Sequence, residues 1–246
     1  MKVAWYQRNG EAREVLHLDE WPDPQPAAGE VRVRVAASGV NPSDVKSRRG
    51  RAPAWPHIVP HSDGAGVIDA VGAGVPETRL GERVWIWNGQ WQRPLGTAAE
   101  YIVLPQAQAV LLPDGVDFDA GACFGIPALT ALQALRIAEK MADGVAGRDV
   151  LVTGAGNAVG HFVTQLAVRK GARVMATAGH PLRQAHARDA GAHEVLDYRE
   201  AGVAERIREL TQGQGVDLII DMDLSGTAAL LAQGAFKAHG HLVGYG

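Results

Sequence analysis

The segment from Asp149 to Lys170 constrains this chain more than any other. Asp149-Val150-Leu151-Val152-Thr153 is an apolar run of strand length. The turn Gly154-Ala155-Gly156-Asn157-Ala158-Val159-Gly160 follows it directly. From Val159 to Lys170 the apolar residues Val159, Val163, Leu166 and Ala167 recur at helical spacing. A strand that ends in glycines and restarts as a helix leaves free N–H groups and the positive end of a helix dipole at the turn, which suits a pyrophosphate. The spacing is G-x-G-x-x-x-G, one residue longer than the usual dinucleotide fingerprint. A tight strand–helix turn in another α/β protein is the competing reading of the same residues.

The context favours the dinucleotide. Strand-like runs at Arg173–Ala178, Glu194–Asp197, Val216–Asp221 and His241–Val243 alternate with helical patterns at Leu129–Met141, Leu182–Ala190, Ala204–Thr211 and Thr227–Phe236. Such alternation predicts βαβ units and a parallel sheet, with ligands at the carboxyl ends of the strands. An NAD site places an acid at the end of the second strand to hold the ribose hydroxyls. Here that stretch reads Ala176-Thr177-Ala178-Gly179-His180, with Arg183 just beyond. Arginine binds a 2′-phosphate through two parallel donors, so the pattern favours NADPH. Solvated helix-start residues are the plainer account of Arg183 and His180.

Before residue 120 the pattern differs. Val31–Val35 alternates apolar and charged residues, and Gly66–Gly72, Arg83–Trp87, Tyr101–Leu104 and Ala109–Pro113 are further short strands. Met1–Tyr6 reads as another strand start, and Trp21–Pro26 is a loop by composition. This spacing predicts a small barrel or sandwich. Hydrophobic residues at 46% and charged residues at 21% fit an ordinary globular chain. Lys+Arg at 24 against Asp+Glu at 27 gives a net charge of −3, without the basic footprint of a nucleic-acid binder. Ser47-Arg48-Arg49-Gly50-Arg51 is a local basic patch that reads as a solvated loop. A single cysteine, Cys123, excludes a disulfide framework and fits a reducing, cytoplasmic setting. No apolar run is long enough to span a membrane.

Further motifs carry a family resemblance. They are Val40-Asn41-Pro42-Ser43-Asp44, Gly64-Ala65-Gly66-Val67-Ile68, Gly81-Glu82-Arg83-Val84 and Gly125-Ile126-Pro127-Ala128-Leu129-Thr130-Ala131. Ala190-Gly191-Ala192-His193 and Asp197-Tyr198-Arg199 continue the series. In order and spacing the chain resembles the medium-chain dehydrogenase/reductase superfamily, and within it the quinone oxidoreductases of the zeta-crystallin type. The resemblance implies an α/β chain: a GroES-like, β-rich catalytic domain over residues 1–120, then a Rossmann doubly wound parallel sheet over residues 121–246. It also implies that relatives continue past Gly246, and that the longer form is a homodimer. The coenzyme is expected on Gly154, Ala155, Gly156, Asn157, Ala158, Val159 and Gly160. Gly179, His180, Arg183, Tyr198, Asp44, Gly244, Tyr245 and Gly246 complete that set.

Metal needs a separate reading. Zinc-dependent members of the superfamily take a Cys after an early strand and a His in a Gly-His-Glu segment. This chain has Ser38 and Asn41 in the first region and Pro60-His61-Ser62-Asp63-Gly64 in the second, with Ser62 at the ligand's place. His57 and His61 flank Pro60, which argues against one helical face. No metal is expected. Without a Lewis acid, the chemistry points to an electron-poor acceptor, a quinone or an α,β-unsaturated carbonyl, reduced by NADPH. The resemblance places Asn41, Asp44 and Lys46 near the nicotinamide and the substrate carbonyl, and Thr130 and Trp91 are expected in the same wall. Asn41 could donate to a developing oxyanion or simply open a turn before Pro42. Lys46 stands where these reductases usually have Tyr, so it polarises a carbonyl, contacts a phosphate or lies in solvent. Trp91 is an aromatic lid or a surface anchor. The alternatives are an enoyl-thioester reductase and an RNA-binding or crystallin-like role on the same fold.

Overall fold

Alternation of the side chains in Val31-Arg32-Val33-Arg34-Val35 sets one face of a sheet toward a core, and the structure builds on it. The computed structural model describes residues 1–245. The chain divides into two units, Met1–Ile126 and the residues from Pro127 onward.

The first unit contains β1 (Lys2–Trp5), α1 (Ala12–Val15), β2 (His17–Glu20), β3 (Glu30–Gly39) and α2 (Pro42–Gly50). It continues with β4 (Asp63–Val71), β5 (Arg83–Ile86), β6 (Tyr101–Pro105), β7 (Ala109–Leu111) and α3 (Phe118–Gly121). Five strands form an antiparallel sheet in the order β6-β3-β4-β5-β7, and β1 pairs with β2. Val33 stands opposite Ile68 on one side and Ile102 on the other. With Val31, Val84, Ile86 and Leu104 these side chains form a fully buried cluster. On the polar face Arg32 forks onto Asp69 at 2.9 and 3.2 Å and lies over the Tyr101 ring.

The basic patch at Ser47–Gly50 is not the solvated loop that its composition predicts. It forms the second half of α2, which opens on Asn41 as N-cap and Pro42 in the first turn. Arg48 is buried and donates to the carbonyl of Gly10, while Arg49 pairs with Glu11 at 3.0 Å. Arg48 packs inward because a backbone carbonyl accepts from it, while Arg49, Gly50 and Arg51 stay exposed.

The second unit contains α4 (Leu129–Ala142), β8 (Asp149–Val152), α5 (Ala158–Arg169), β9 (Arg173–Thr177) and α6 (Pro181–Asp189). It continues with β10 (Glu194–Leu196), α7 (Val203–Leu210), β11 (Val216–Asp221), α8 (Leu224–Ala232) and β12 (Phe236–Gly244). Its parallel sheet runs β10-β9-β8-β11-β12, with the first strand of the unit at the centre. Both faces are covered. Val150, Val152, Val174, Ala176, Leu218 and Ile220 pack with α4 and α5, whereas Leu151, Met175 and Ile219 pack with α7 residues Ala204 and Ile207. That is why these strands read as continuous apolar runs. The strand order reverses at β8, so a crevice opens where β8, β9 and β11 end.

The final helix–strand pair differs from the sequence expectation. The helix begins at Leu224 and ends at Ala232, and Phe236 already belongs to β12, opposite Val216. Gly234, at φ +76°, closes the helix, so Phe236 supplies a strand position in spite of its helical spacing.

Candidate functional site

The turn after β8 is shaped by close approaches that exclude side chains. Gly154 has φ +63°, and a Cβ there would lie 1.8 Å from the Met222 sulfur. A Cβ on Gly156 would lie 2.4 Å from the Cβ of Arg183. One on Gly160 would lie 2.5 Å from the Gly154 carbonyl oxygen, the contact that seats α5 against the strand end. Asn157 is the N-cap of α5, yet its side chain does not cap the helix. Its amide instead points to the Met222 sulfur at 3.0 Å. The first-turn N–H groups of α5 therefore stay open to an anion.

Helix α6 is tied down beside this turn. The His186 ring nitrogen Nδ1 lies 3.3 Å from the Gly156 carbonyl, and the His161 and His186 rings stack at 3.8 Å. Arg183, exposed on α6, is thereby held next to Gly156. Tyr198 lies against Gly179, where a Cβ would be 2.6 Å from the ring. Its loop is locked by Asp197, which accepts two guanidinium bonds from Arg199 at 2.9 and 2.6 Å. That pairing holds the Asp197 carboxyl down at about 2. Under the sheet ends, buried Asp221 accepts from Thr153 Oγ1 at 2.7 Å and from Thr227 Oγ1 at 2.5 Å.

These elements surround a cavity of about 850 Å³. Of the expected coenzyme residues, Gly154, Gly156, Asn157, Gly179, Arg183 and Tyr198 line it. Ala155 and Gly160 are buried behind the turn, while Ala158, Val159 and His180 do not line the cavity. His180 caps α6, with Nδ1 accepting the Leu182 N–H at 3.3 Å. Gly244 pairs with Asp221 at the end of β12, and the Tyr245 N–H donates to the Asp221 carbonyl. Burial pushes the Tyr245 hydroxyl pKa up. Gly246 lies outside the described residues. Thr130 is half-buried in the first turn of α4. The sequence reading missed Thr153, Thr177, Met222, Asp223 and Thr227, which also line the cavity. The strand-end positions of Thr153, Thr177 and Met222 were the available signal. Glu200 and Glu205 line it as well, arriving from the loop after β10 and from α7.

The first unit holds a separate polar cluster. Asp63, fully buried at the start of β4, accepts from Asn41 Nδ2 at 2.7 Å and from the Ile126 N–H at 2.9 Å. Burial dominates those bonds and pushes its carboxyl up to about 6. Asn41 thus has one amide N–H committed to Asp63. Asp44 accepts the Asn41 backbone N–H at 2.7 Å, and burial raises its carboxyl as well. Ser38 Oγ lies 3.0 Å from His61 Nδ1 and 2.8 Å from Thr97 Oγ1. Lys46 is exposed on α2, and Trp91 is 60% exposed in its loop.

Among the described residues, no three His, Cys, Asp or Glu side chains are grouped to hold a metal ion. Cys123 is exposed, and His57 packs edge-on against Trp5 at 4.8 Å. Ser38, Asn41 and Ser62 themselves supply none of the Cys, His or carboxylate ligands that zinc takes three or four of.

Residues 27–114 match the alcohol dehydrogenase GroES-like domain, and residues 158–246 match the zinc-binding dehydrogenase family. The chain is 36% identical over 218 residues to the quinone oxidoreductase of Rattus norvegicus, covering 86% of this chain. It spans 64% of that relative's length. Among solved structures, a quinone oxidoreductase of Pseudomonas syringae superposes with a TM-score of 0.82 at 31% identity. That match covers 100% of this chain and 73% of the other. A mycobacterial protein solved in complex with NADPH gives a TM-score of 0.83 at 31% identity, covering 100% and 74%.

Proposed function

Starting from the fact that the chain belongs to the medium-chain dehydrogenase/reductase superfamily, with quinone oxidoreductases among its relatives, we propose that it is an NADPH-dependent, zinc-independent reductase of quinones or α,β-unsaturated carbonyls. The observation that carries this reading is the cradle at the ends of β8 and β9. It combines open N–H groups at α5, glycines where any Cβ would collide, and Arg183 with Tyr198 beside an acid-free strand end. Its residues fit a dinucleotide. The α5 N-terminus would hold the pyrophosphate, and the Arg183 fork would hold the 2′-phosphate. When bound, the reduced nicotinamide supplies a hydride to an electron-poor acceptor.

The chain's own residues do the rest. The Asp221–Thr153–Thr227 network fixes the ends of β8 and β11, so the turn is presented without reorganisation. Asp63 orients the Asn41 amide, which keeps one N–H for an acceptor oxygen. No nucleophile and no metal step is required.

The test is a nucleotide titration followed by turnover. NADPH at a hundredfold excess over Kd raises apparent stability by about 2.7 kcal/mol, and NADH at equal concentration by less. Oxidation of NADPH is then followed with 1,4-benzoquinone, 9,10-phenanthrenequinone and a 2-alkenal. Binding without reduction of any of the three overturns the reductase reading in favour of a binding role. Equal affinity for both nucleotides overturns the NADPH preference. Stoichiometric zinc with activity lost on chelation overturns zinc independence.

A further inference from the structure

Met222 brings a thioether to the most tightly built part of the cavity. It follows the last residue of β11, and its backbone N–H donates to Thr153 Oγ1 at 3.0 Å. That anchor sets the sulfur directly over Gly154, where a Cβ would lie only 1.8 Å from it. Gly154 has no freedom to retreat. It holds φ +63°, its N–H donates to Thr177 Oγ1 at 3.3 Å, and its carbonyl accepts the Asn157 N–H at 2.9 Å. The same sulfur accepts from Asn157 Nδ2 at 3.0 Å. A thioether is a weak acceptor, yet this contact keeps the Asn157 side chain off the α5 N-terminus.

Met222 is only partly buried and lines the cavity, so a small oxidant in the cavity meets its side chain. The chain has four methionines, and two others supply internal standards. Met175 is 0% exposed in the core of the parallel sheet, and Met141 is 45% exposed near the end of α4.

We propose that Met222 is a peroxide-sensitive modification site, and that its oxidation to methionine sulfoxide disables the dinucleotide cradle. The inference rests on the coenzyme reading above. A sulfur lone pair attacks one oxygen of hydrogen peroxide, an S–O bond forms and the O–O bond breaks. The proton on the transferred oxygen passes to the departing hydroxide, so the products are the sulfoxide and water. Sulfur is oxidised by two electrons, and the peroxide is reduced by two. The side chain becomes polar and chiral. Its new oxygen has no room on the Gly154 side. An oxygen turned toward Asn157 enters the space of the 3.0 Å contact and drives the amide back over the α5 N–H groups, which an asparagine side chain readily caps. An oxygen turned into the cavity presents an acceptor, without a proton, to phosphate oxygens. Either epimer therefore works against the anion. Sulfoxide reductases, one for each epimer, reverse the change.

Peroxide treatment of the whole protein, with and without NADPH, followed by peptide mass spectrometry, reads each methionine separately. Met141 should oxidise in both samples and Met175 in neither. Met222 should oxidise in the free protein and be protected by NADPH. Calorimetric titration should then show NADPH bound about 10–100-fold more weakly after peroxide, the loss of one hydrogen bond to a charged group. Methionine sulfoxide reductases A and B together should restore the affinity. In Met222→Leu, whatever its starting affinity, peroxide should cause no further loss, which separates Met222 from Cys123 and the tryptophans. Met222 left intact while Met141 is converted overturns the proposal. So does sulfoxide at Met222 with unchanged affinity, or an equal loss in Met222→Leu. An untreated protein that does not bind NADPH overturns the coenzyme reading itself.

Discussion

Replacing Asp63 by asparagine should stabilise the first unit, and the gain should grow with pH. The Asp63 carboxyl is fully buried among the Asn41 amide, the Ile126 N–H and the start of β4. Burial raises it from 3.8 to about 6. The folded state therefore holds this proton to a higher pH than the unfolded state does. The stability it contributes is complete below about pH 4 and is lost as pH rises through about 6. At 1.36 kcal/mol per unit, a shift of about two units amounts to about 3 kcal/mol. The amide introduced by Asp63→Asn stays neutral throughout, and the Asn41 amide can turn over to accept from it. The variant minus unmodified gap should thus widen by about 3 kcal/mol between about pH 4 and pH 8, or roughly 6–12 °C in Tm for a chain of this size. All six tryptophans, Trp5, Trp21, Trp55, Trp85, Trp87 and Trp91, lie in the first unit, so intrinsic fluorescence reports its unfolding selectively. A gap that is independent of pH, or largest in acid, would refute the reasoning.

Three further outcomes are expected. Arg183→Glu should weaken NADPH by roughly 10–100-fold, from the ~1.5–3 kcal/mol of a hydrogen bond to a charged group, and leave NADH nearly unchanged; calorimetric titration checks both. Gly156→Ala drives a Cβ into Arg183 at 2.4 Å. That overpacking should cost about 1–3 kcal/mol, read from far-UV circular dichroism melts, and should weaken NADPH in parallel. Thr153→Val removes the donor to Asp221 Oδ1 and the acceptor for the Met222 N–H. It should cost about 1–3 kcal/mol in urea unfolding of the second unit, and a neutral result would mean that the network does not brace the turn.

The order of strands and helices in the second unit was legible because parallel strands buried on both faces are continuous apolar runs, and helices repeat at about 3.6 residues. The glycine turn was legible because a close approach demands residues without a Cβ. The missing acid at Gly179 was legible as a plain absence. Helix α2 went unread: Asn41 and Pro42 suit a helix start as well as a turn, and the basic residues after them argue for a solvated loop. Strand β2 left no trace, since all four of its residues are exposed and none alternates.

What only the tertiary structure decided are the meetings of distant residues. Met222 reaches the turn from the end of β11 and diverts the Asn157 side chain, so the α5 N–H groups stay open. That meeting follows from β11 pairing with β8. The hydrogen-bonded chain that runs from His61 through Ser38 and Thr97 to Asp63 joins three different segments. Local periodicity sets which face of each element is buried. Which polar groups then face each other is set by strand order and register, and these emerge only when the whole sheet is assembled.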